Sequence, residues 1–384
     1  MRLLFLADGR SPIALNWMAY FIETGAEVHL VSLYPCQTEL PFASVRWLPT
    51  PFLGSEIATQ SAQASFLRRL LPARWRTKLR QHLVPLGLSR PAQQLRAWIA
   101  QLQPDLVHAM RIPYEGMIAA LAKPPCPLLI SVWGNDLTLH VAANPLMRKL
   151  TRQTLAQANG LHTDCVRDQR LAREWGFAQD KPAIVLPGAG GVQRHLFHPA
   201  ENTKPQAIVV NPRGLRAYVR NDTFFGAVPI VRQAMPAVRF LCPAMQGDPE
   251  AHRWLQGEQV SEAVELLPRL SRPEMAALFQ QAAVTVSITE HDGTPNTLLE
   301  AMACGSFPIA GDLESLREWI TPGVNGDLVS PADRQGLAFA ILCALEDERL
   351  RQNARTINQE LIAQRADYGR VMPQARDFYR SLLG

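Results

Sequence analysis

The sequence predicts an α/β protein made of two doubly wound parallel-sheet domains in tandem. Three observations predict it. At 384 residues the chain is too long for one ordinary hydrophobic core. Short apolar runs alternate with longer amphipathic stretches, as strands buried on both faces alternate with the helices that cover them. The alternation then stops at a polar, proline-bearing stretch and begins again.

In the first series the apolar runs Leu3–Ala7, Val28–Leu33, Leu106–Ala109, Leu128–Val132 and Ala183–Leu186 read as strands, with helical patterns between them. Pro199-Ala-Glu-Asn-Thr-Lys-Pro205 reads as an interdomain hinge. The second series runs through Ala207–Asn211, Val238–Cys242, Val264–Leu267, Val284–Ser287, Phe307–Ala310 and Asp327–Val329. The segment from Glu346 to Gly384 reads as helices, and Phe378 and Tyr379 predict that it docks on a core. The expected organisation is a first domain over residues 1–200, a second over 206–365, and a C-terminal helix over 366–384 packing back toward the first.

Composition narrows the class. An apolar fraction of 47% fills two cores, and 19% charged residues leave no room for a long disordered tract. The apolar start meets Asp8 before a signal-peptide core is complete, so a cytoplasmic address is expected. Six cysteines are scattered without a Cys-x-x-Cys pair, which argues against both a metal site and a disulfide framework. The net charge of +5 is concentrated: no acidic residue occurs between Glu56 and Asp105, while Arg68, Arg69, Arg74, Arg76, Lys78, Arg80, Arg90 and Arg96 do. Leu67, Leu70, Leu71, Trp75 and Leu79 interleave with them, so the stretch 67–96 is a candidate for peripheral contact with anionic lipid or a phosphate-bearing acceptor. The plain alternative is a solvated helical face. Nucleic acid is disfavoured, because no binding motif accompanies the charge.

The densest chemistry lies in VTVSITEHDGTPNTLLE, Val284 to Glu300, where a strand enters a turn and then a helix. Ligands of open α/β sheets bind at this end of the strands. Gly293 allows a tight turn, Thr294 is a candidate N-cap, and Pro295 suits the first helical position. The amides of Asn296, Thr297 and Leu298 would then face outward at the positive end of the helix, where a diphosphate is stabilised. Glu300 lies on the same helix face one turn deeper, placed to accept two ribose hydroxyls, and Asp292 sits at the turn, placed to accept from a sugar ring.

The run DGTPNTLLEAMACGSFPIAGDLESLREWITPGVNGDLVSPAD resembles the donor-site signature of family 4 glycosyltransferases. In that pattern a carboxylate, seven residues and a Glu precede a small-residue helix, a strand and a loop ending in Glu, here Glu318. GAGGVQRHLFHP resembles the family's interdomain link, with Gln193 where an Asp is usual. PDLVHAM, PLLISVWGND and FLADG fit its first domain, so the resemblance spans nearly the whole chain.

The resemblance implies a GT-B fold, two Rossmann-like domains facing a central cleft, and a retaining, metal-independent transfer of a sugar to a hydroxyl acceptor. The donor would be a nucleotide diphosphate sugar, with UDP favoured and GDP or ADP open. No cofactor is required. It further implies that Asp292 contacts the donor sugar, Glu300 the ribose, and the backbone from Gly293 to Leu298 the sugar and phosphates. Arg213 would be the phosphate cation, with Arg220 or Arg216 as its partner, and Gly9 joins the donor-contacting set. Asp292 and Arg213 are the catalytic candidates of the second domain. Met110 and Trp133 stand where first-domain histidines are usual, so catalytic help is assigned to Asp136, with His108, Arg111 and His140 as alternatives. Acceptors would enter near Asp8-Gly9-Arg10-Ser11. An epimerase or phosphorylase of the same fold, or an inactive nucleotide-sugar-binding subunit, are the rival readings.

Overall fold

The computed structural model describes residues 1–53, 73–200 and 205–384. Residues 67–72 of the basic stretch and 201–204 of the expected hinge lie outside them. The chain packs as two units: one gathers residues 1–53, Trp75–Gly191 and Gly369–Gly384, the other Val192–Tyr368.

The first unit is a seven-stranded parallel sheet: β1 (Arg2–Ala7), β2 (Glu27–Ser32), β3 (Ser44–Trp47), β4 (Leu106–Ala109), β5 (Leu128–Val132), β6 (Gly160–Thr163) and β7 (Ala183–Val185). The spatial order is β3-β2-β1-β4-β5-β6-β7, so the winding reverses between β1 and β4. Phe5 sits in register with Leu30 on one side and His108 on the other. Leu3, Leu4, Phe5 and Leu6 are fully buried, which explains why β1 reads as an unbroken apolar run. Two strands escape the sequence reading. β3, SVRW, is a short edge strand with alternating exposure, its Val45 and Trp47 turned outward. β6, GLHT, is central, but Leu161 is its one large aliphatic residue, and its His162 and Thr163 are buried by virtue of specific hydrogen bonds.

The His162 bond forms part of a polar chain through the core. Trp17 Nε1 donates to the Tyr379 hydroxyl, which donates to His108 Nδ1; His108 Nε2 donates to Ser131 Oγ, which donates to His162 Nδ1; His162 Nε2 donates to the Leu186 carbonyl. An indole can only donate and a carbonyl can only accept, so the two ends fix the direction of every bond and both imidazole tautomers. Burial lowers the pKa of His108 well below 6.5 and takes His162 down to about 4, so both rings are neutral. Tyr379 belongs to the C-terminal helix Tyr368–Leu383, whose Val371, Met372, Ala375 and Tyr379 are buried, and its ring stacks on Phe21 at 4.5 Å. His108 therefore serves the packing of the first unit.

The second unit is a six-stranded parallel sheet: β8 (Gln206–Val210), β9 (Arg239–Cys242), β10 (Val264–Leu266), β11 (Ala282–Ser287), β12 (Phe307–Gly311) and β13 (Asp327–Val329). Its order, β10-β9-β8-β11-β12-β13, reverses between β8 and β11. Thr285 pairs with Val210 on one side and Pro308 on the other. The helix Asn296–Cys304 follows β11 and buries Leu298, Leu299, Ala301 and Met302, while Gly305 at φ 89° ends it.

Replacing Tyr379 by Phe strands the His108 Nδ1 acceptor and the Trp17 N–H donor in a dry core, at a cost of roughly 1–3 kcal/mol for each group left unpaired. Both imidazoles titrate at about 6.5 when unfolded and lower when folded. Their contribution is therefore complete above that pH and is lost as pH falls toward 4. Urea unfolding of wild type and Tyr379→Phe between pH 8 and 4 checks both expectations.

Candidate active site

In the second unit the reversal between β8 and β11 places two loop starts side by side. Asn211 to Arg213 follow β8, and Thr289 to Asp292 follow β11. The backbone zips them together: Arg220 N donates to the Ile288 carbonyl at 3.0 Å and Glu290 N to the Tyr218 carbonyl at 2.9 Å. Gly311, at the end of β12, lets the Thr289 backbone pass; a Cβ there would fall 2.6 Å from its carbonyl oxygen.

Arg213 is the cation this scaffold holds in place. Its Nη2 donates to Asp292 Oδ2 at 2.5 Å, and its Nη1 reaches the Thr297 hydroxyl at 3.4 Å. The guanidinium is buried, and its Nε has no hydrogen-bond partner. Asn296 Oδ1, at the start of the helix, is likewise buried and unpartnered. The turn is braced from below, where Ser315 Oγ donates to the Asp292 carbonyl at 2.7 Å.

The local capping differs from expectation. Pro295, at φ −68° and ψ 117°, is the cap residue outside the helix, and Asn296 is its first member. Thr294 does not cap: its hydroxyl accepts from Trp319 Nε1 at 3.0 Å, because a buried indole N–H needs an acceptor. Leu298 N turns back to the Pro295 carbonyl at 3.0 Å, which leaves Asn296 and Thr297 as the amides without an intrahelical acceptor. Gly293 is buried in the turn but stays out of the left-handed region, so backbone sign is not its use there.

Glu300 sits one turn into the helix. Burial pushes its carboxyl up to about 7, partly offset by Arg272, whose Nη2 lies 3.8 Å away. Arg272 also donates to Gln193 Oε1 at 2.9 Å. Because Gln193 is neutral, this hydrogen bond leaves the guanidinium charge to act on Glu300. Arg220 is paired in this structure: its fork meets Asp222 at 2.8 and 2.7 Å, and its third nitrogen Glu290 at 2.7 Å. Arg216 Nη1 meets the Tyr218 hydroxyl at 3.2 Å.

A second polar cluster lines the carboxyl ends of β1, β4 and β5 in the first unit. Asp136 is fully buried, and its two oxygens accept from Arg111 Nη2 at 2.9 Å, Ile112 N at 3.1 Å and Trp133 N at 3.2 Å. With its oxygens turned to three protein donors, Asp136 positions Arg111. Arg111 keeps a buried, unpartnered Nε. Glu115 is buried nearby, pushed up to about 7 by desolvation, with Arg111 holding it back from rising further. Burial raises the phenols of Tyr34 and Tyr114 beside it. Sequence reasoning missed Glu115 because IPYEG carries no motif. Gly9 has a packing reason to be glycine: a Cβ would meet Cys36 Sγ at 2.4 Å, and its amide donates to Ser32 Oγ at 3.0 Å.

Comparison with known proteins bears on family and fold. A family model described as "Glycosyl transferase 4-like domain" matches residues 9–188, and one described as "Glycosyl transferases group 1" matches residues 214–347. The chain is a family 4 glycosyltransferase. Over 299 residues, 73% of this chain and 75% of the relative, the transferase is 22% identical to a GDP-mannose:cellobiosyl-diphosphopolyprenol alpha-mannosyltransferase of Xanthomonas campestris. It is 24% identical, over 66% of its own length and 61% of the relative's, to a D-inositol 3-phosphate glycosyltransferase of Thermomonospora curvata. Among solved structures, sucrose-phosphate synthase from Thermosynechococcus elongatus is similar with a TM-score of 0.75 at 15% identity, covering 100% of this chain and 99% of that one. Anabaena HepE in complex with UDP-glucose is similar at 0.70 and 17%, covering 99% and 100%. The transferase therefore has the GT-B fold.

Thr294→Val removes the acceptor of the Trp319 indole N–H and is expected to cost roughly 1–3 kcal/mol, while Thr294→Ser retains it. Chemical denaturation of the two variants beside wild type is the check.

Proposed function

We propose that this transferase moves a hexose from a nucleotide diphosphate sugar, held by the second unit, to a hydroxyl of a lipid-borne acceptor, with retention of anomeric configuration and without a metal ion. One observation carries the donor side: Arg213 is held, with an unpartnered Nε, at the start of a helix whose first two amides have no intrahelical acceptor. A leaving diphosphate gains negative charge as the glycosidic bond breaks. A fixed guanidinium and two helix-mouth amides stabilise that charge without reorganising.

Each remaining residue then has a role. Asp292 orients Arg213 and offers a carboxylate to the donor sugar. Glu300 accepts the ribose hydroxyls once ionised. Retention follows from attack by the acceptor hydroxyl on the face the diphosphate leaves, the departing phosphate taking the proton. Support for a nucleoside diphosphate hexose comes from relatives named for GDP-mannose and from structural neighbours solved with UDP and UDP-glucose. The lipid-borne acceptor is supported by the names of three relatives, which specify cellobiosyl-diphosphopolyprenol, phosphatidyl-myo-inositol and a diphospho-undecaprenol-linked sugar.

A thermal-shift panel of UDP, GDP and ADP is expected to single out one nucleotide that raises the midpoint, since a ligand of the folded state stabilises it by mass action. Arg213→Met removes the shift and Arg213→Lys restores little of it, because an ammonium cannot reproduce the guanidinium fork. A panel without effect, or a shift indifferent to Arg213, sinks the reading.

The ionisation of Glu300 gives a separate expectation. Its ordinary value is raised to about 7, so the acceptor form grows as pH rises through 7. Affinity for the intact nucleotide sugar should strengthen from pH 6 to 8 in wild type. In Glu300→Gln it should be weaker and flat across that range. Isothermal titration across those pH values measures both.

A further inference from the structure

The helix Ala73–Leu83 carries Arg74, Arg76, Lys78, Arg80 and His82 and no carboxylate. Its buried side is narrow and specific. Gln81 donates from Nε2 to His140 Nδ1 at 3.1 Å, and Asn144 Nδ2 donates to the Gln81 carbonyl at 2.9 Å. The helix is thus pinned to the loop that leaves β5, a few residues from Asp136. Opposite Gln81, at 100° per residue, stand Trp75 and Leu79, one turn apart.

Both are turned outward: Trp75 is 56% exposed and Leu79 55%, and Leu86 in the following turn is 71% exposed. Lys78 borders this ridge on one side, its Nζ 5.3 Å from the centre of the Trp75 ring, and Arg76 and Arg80 border it on the other. No ion pair among the described residues takes up Arg76, Lys78 or Arg80. A helix that merely faces water has no use for an indole and a leucine on its outermost line, with a further exposed leucine in the next turn. A bilayer interface does: the indole settles at headgroup depth, the leucines reach the acyl boundary, and the flanking cations meet lipid phosphates on either side.

We propose that the outward face of the helix Ala73–Leu83, with Leu86, docks this transferase on an anionic bilayer. The docking rests on the helix itself; the purpose assigned to it rests on the reading that the acceptor is lipid-borne. The charge of Arg80 also bears on Tyr34 and Tyr114, so the same helix borders the Arg111 and Glu115 cluster at the carboxyl edge of the first sheet. That places the polar cluster beside the surface from which a lipid-borne headgroup would arrive. Charge complementarity and the narrow ridge between two flanks of cations commit the face to lipid. An acidic protein or a nucleic acid would need matching carboxylates, or bases to stack on one indole.

Co-sedimentation of the full chain with vesicles of pure phosphatidylcholine, and of phosphatidylcholine with phosphatidylglycerol at 7:3, tests this. Binding to the anionic vesicles is expected to exceed binding to the neutral ones at least tenfold at 0.1 M salt and to weaken at 0.5 M. Trp75→Ser with Leu79→Ser, and separately Arg76→Gln with Lys78→Gln and Arg80→Gln, should each lower it about tenfold or more. The nucleotide-induced thermal shift should persist in both, which certifies their folding. Equal partition onto both vesicle types, no binding to the anionic ones, or binding indifferent to both variant sets overturns the proposal, as does variant-sensitive retention on polyglutamate or polyuridylate without vesicle binding. If vesicles fail while the nucleotide shift persists, docking falls and the transferase reading stands. If wild type shows no nucleotide shift at all, that reading falls on its own.

Discussion

A buried charge must be paired or it costs the fold several kcal/mol, and in the second unit that constraint falls on Arg213. The guanidinium leaves the end of β8, crosses to the loop after β11, and is neutralised there by Asp292. Each neighbouring feature serves this crossing. The Arg220 and Glu290 amides tie the two loops together, and Gly311 makes room for the Thr289 carbonyl. Ser315 and Trp319 hold the turn on which Asp292 rides. Because β8 and β11 are adjacent only where the strand order reverses, sheet topology is what lets residues 79 apart form one ion pair.

The first unit meets a comparable constraint with neutral groups. Trp17, His108, Ser131, His162 and Tyr379 would each leave a costly orphan in a dry core, and they avoid it by bonding to one another in a single direction. The consequence is topological. The last helix of the chain is held in the first unit by a hydroxyl that has both to donate and to accept, a requirement no apolar side chain could impose.

Parallel strands buried on both faces must be apolar along their length, so β1, β5, β11 and β12 announce themselves in sequence with boundaries close to those observed. β3 and β6 do not, since an edge strand tolerates polar residues and a central one can satisfy them through side-chain bonds that only the fold supplies. At the candidate site the turn and the helix were legible because loop and helix-start chemistry is local, whereas Arg213 was singled out by the family resemblance alone. The diversion of Thr294 to Trp319 was not, for its cause lies 25 residues away. Nor was the filling of Arg220's fork by Asp222 and Glu290, or the enclosure of Asp136, whose three donors converge only after β4 and β5 pair. Glu115 was invisible for the complementary reason: its unusual proton affinity comes from burial, which sequence pattern registers poorly for an isolated carboxylate.

Glu300 and Glu115 share that property, one in each unit, both pushed up to about 7. A carboxyl that titrates near 4.3 when unfolded and near 7 when folded favours the folded state at low pH and loses that contribution as pH rises through 7. Maintaining such a group weakens the empty protein under neutral conditions, so packing alone gives no reason to keep it where a neutral amide would fit. Hydroxyl donors change the balance, because a carboxylate that receives them is stabilised relative to its acid. On the proposed reading, ribose hydroxyls arriving beside Glu300 would therefore pull its proton off.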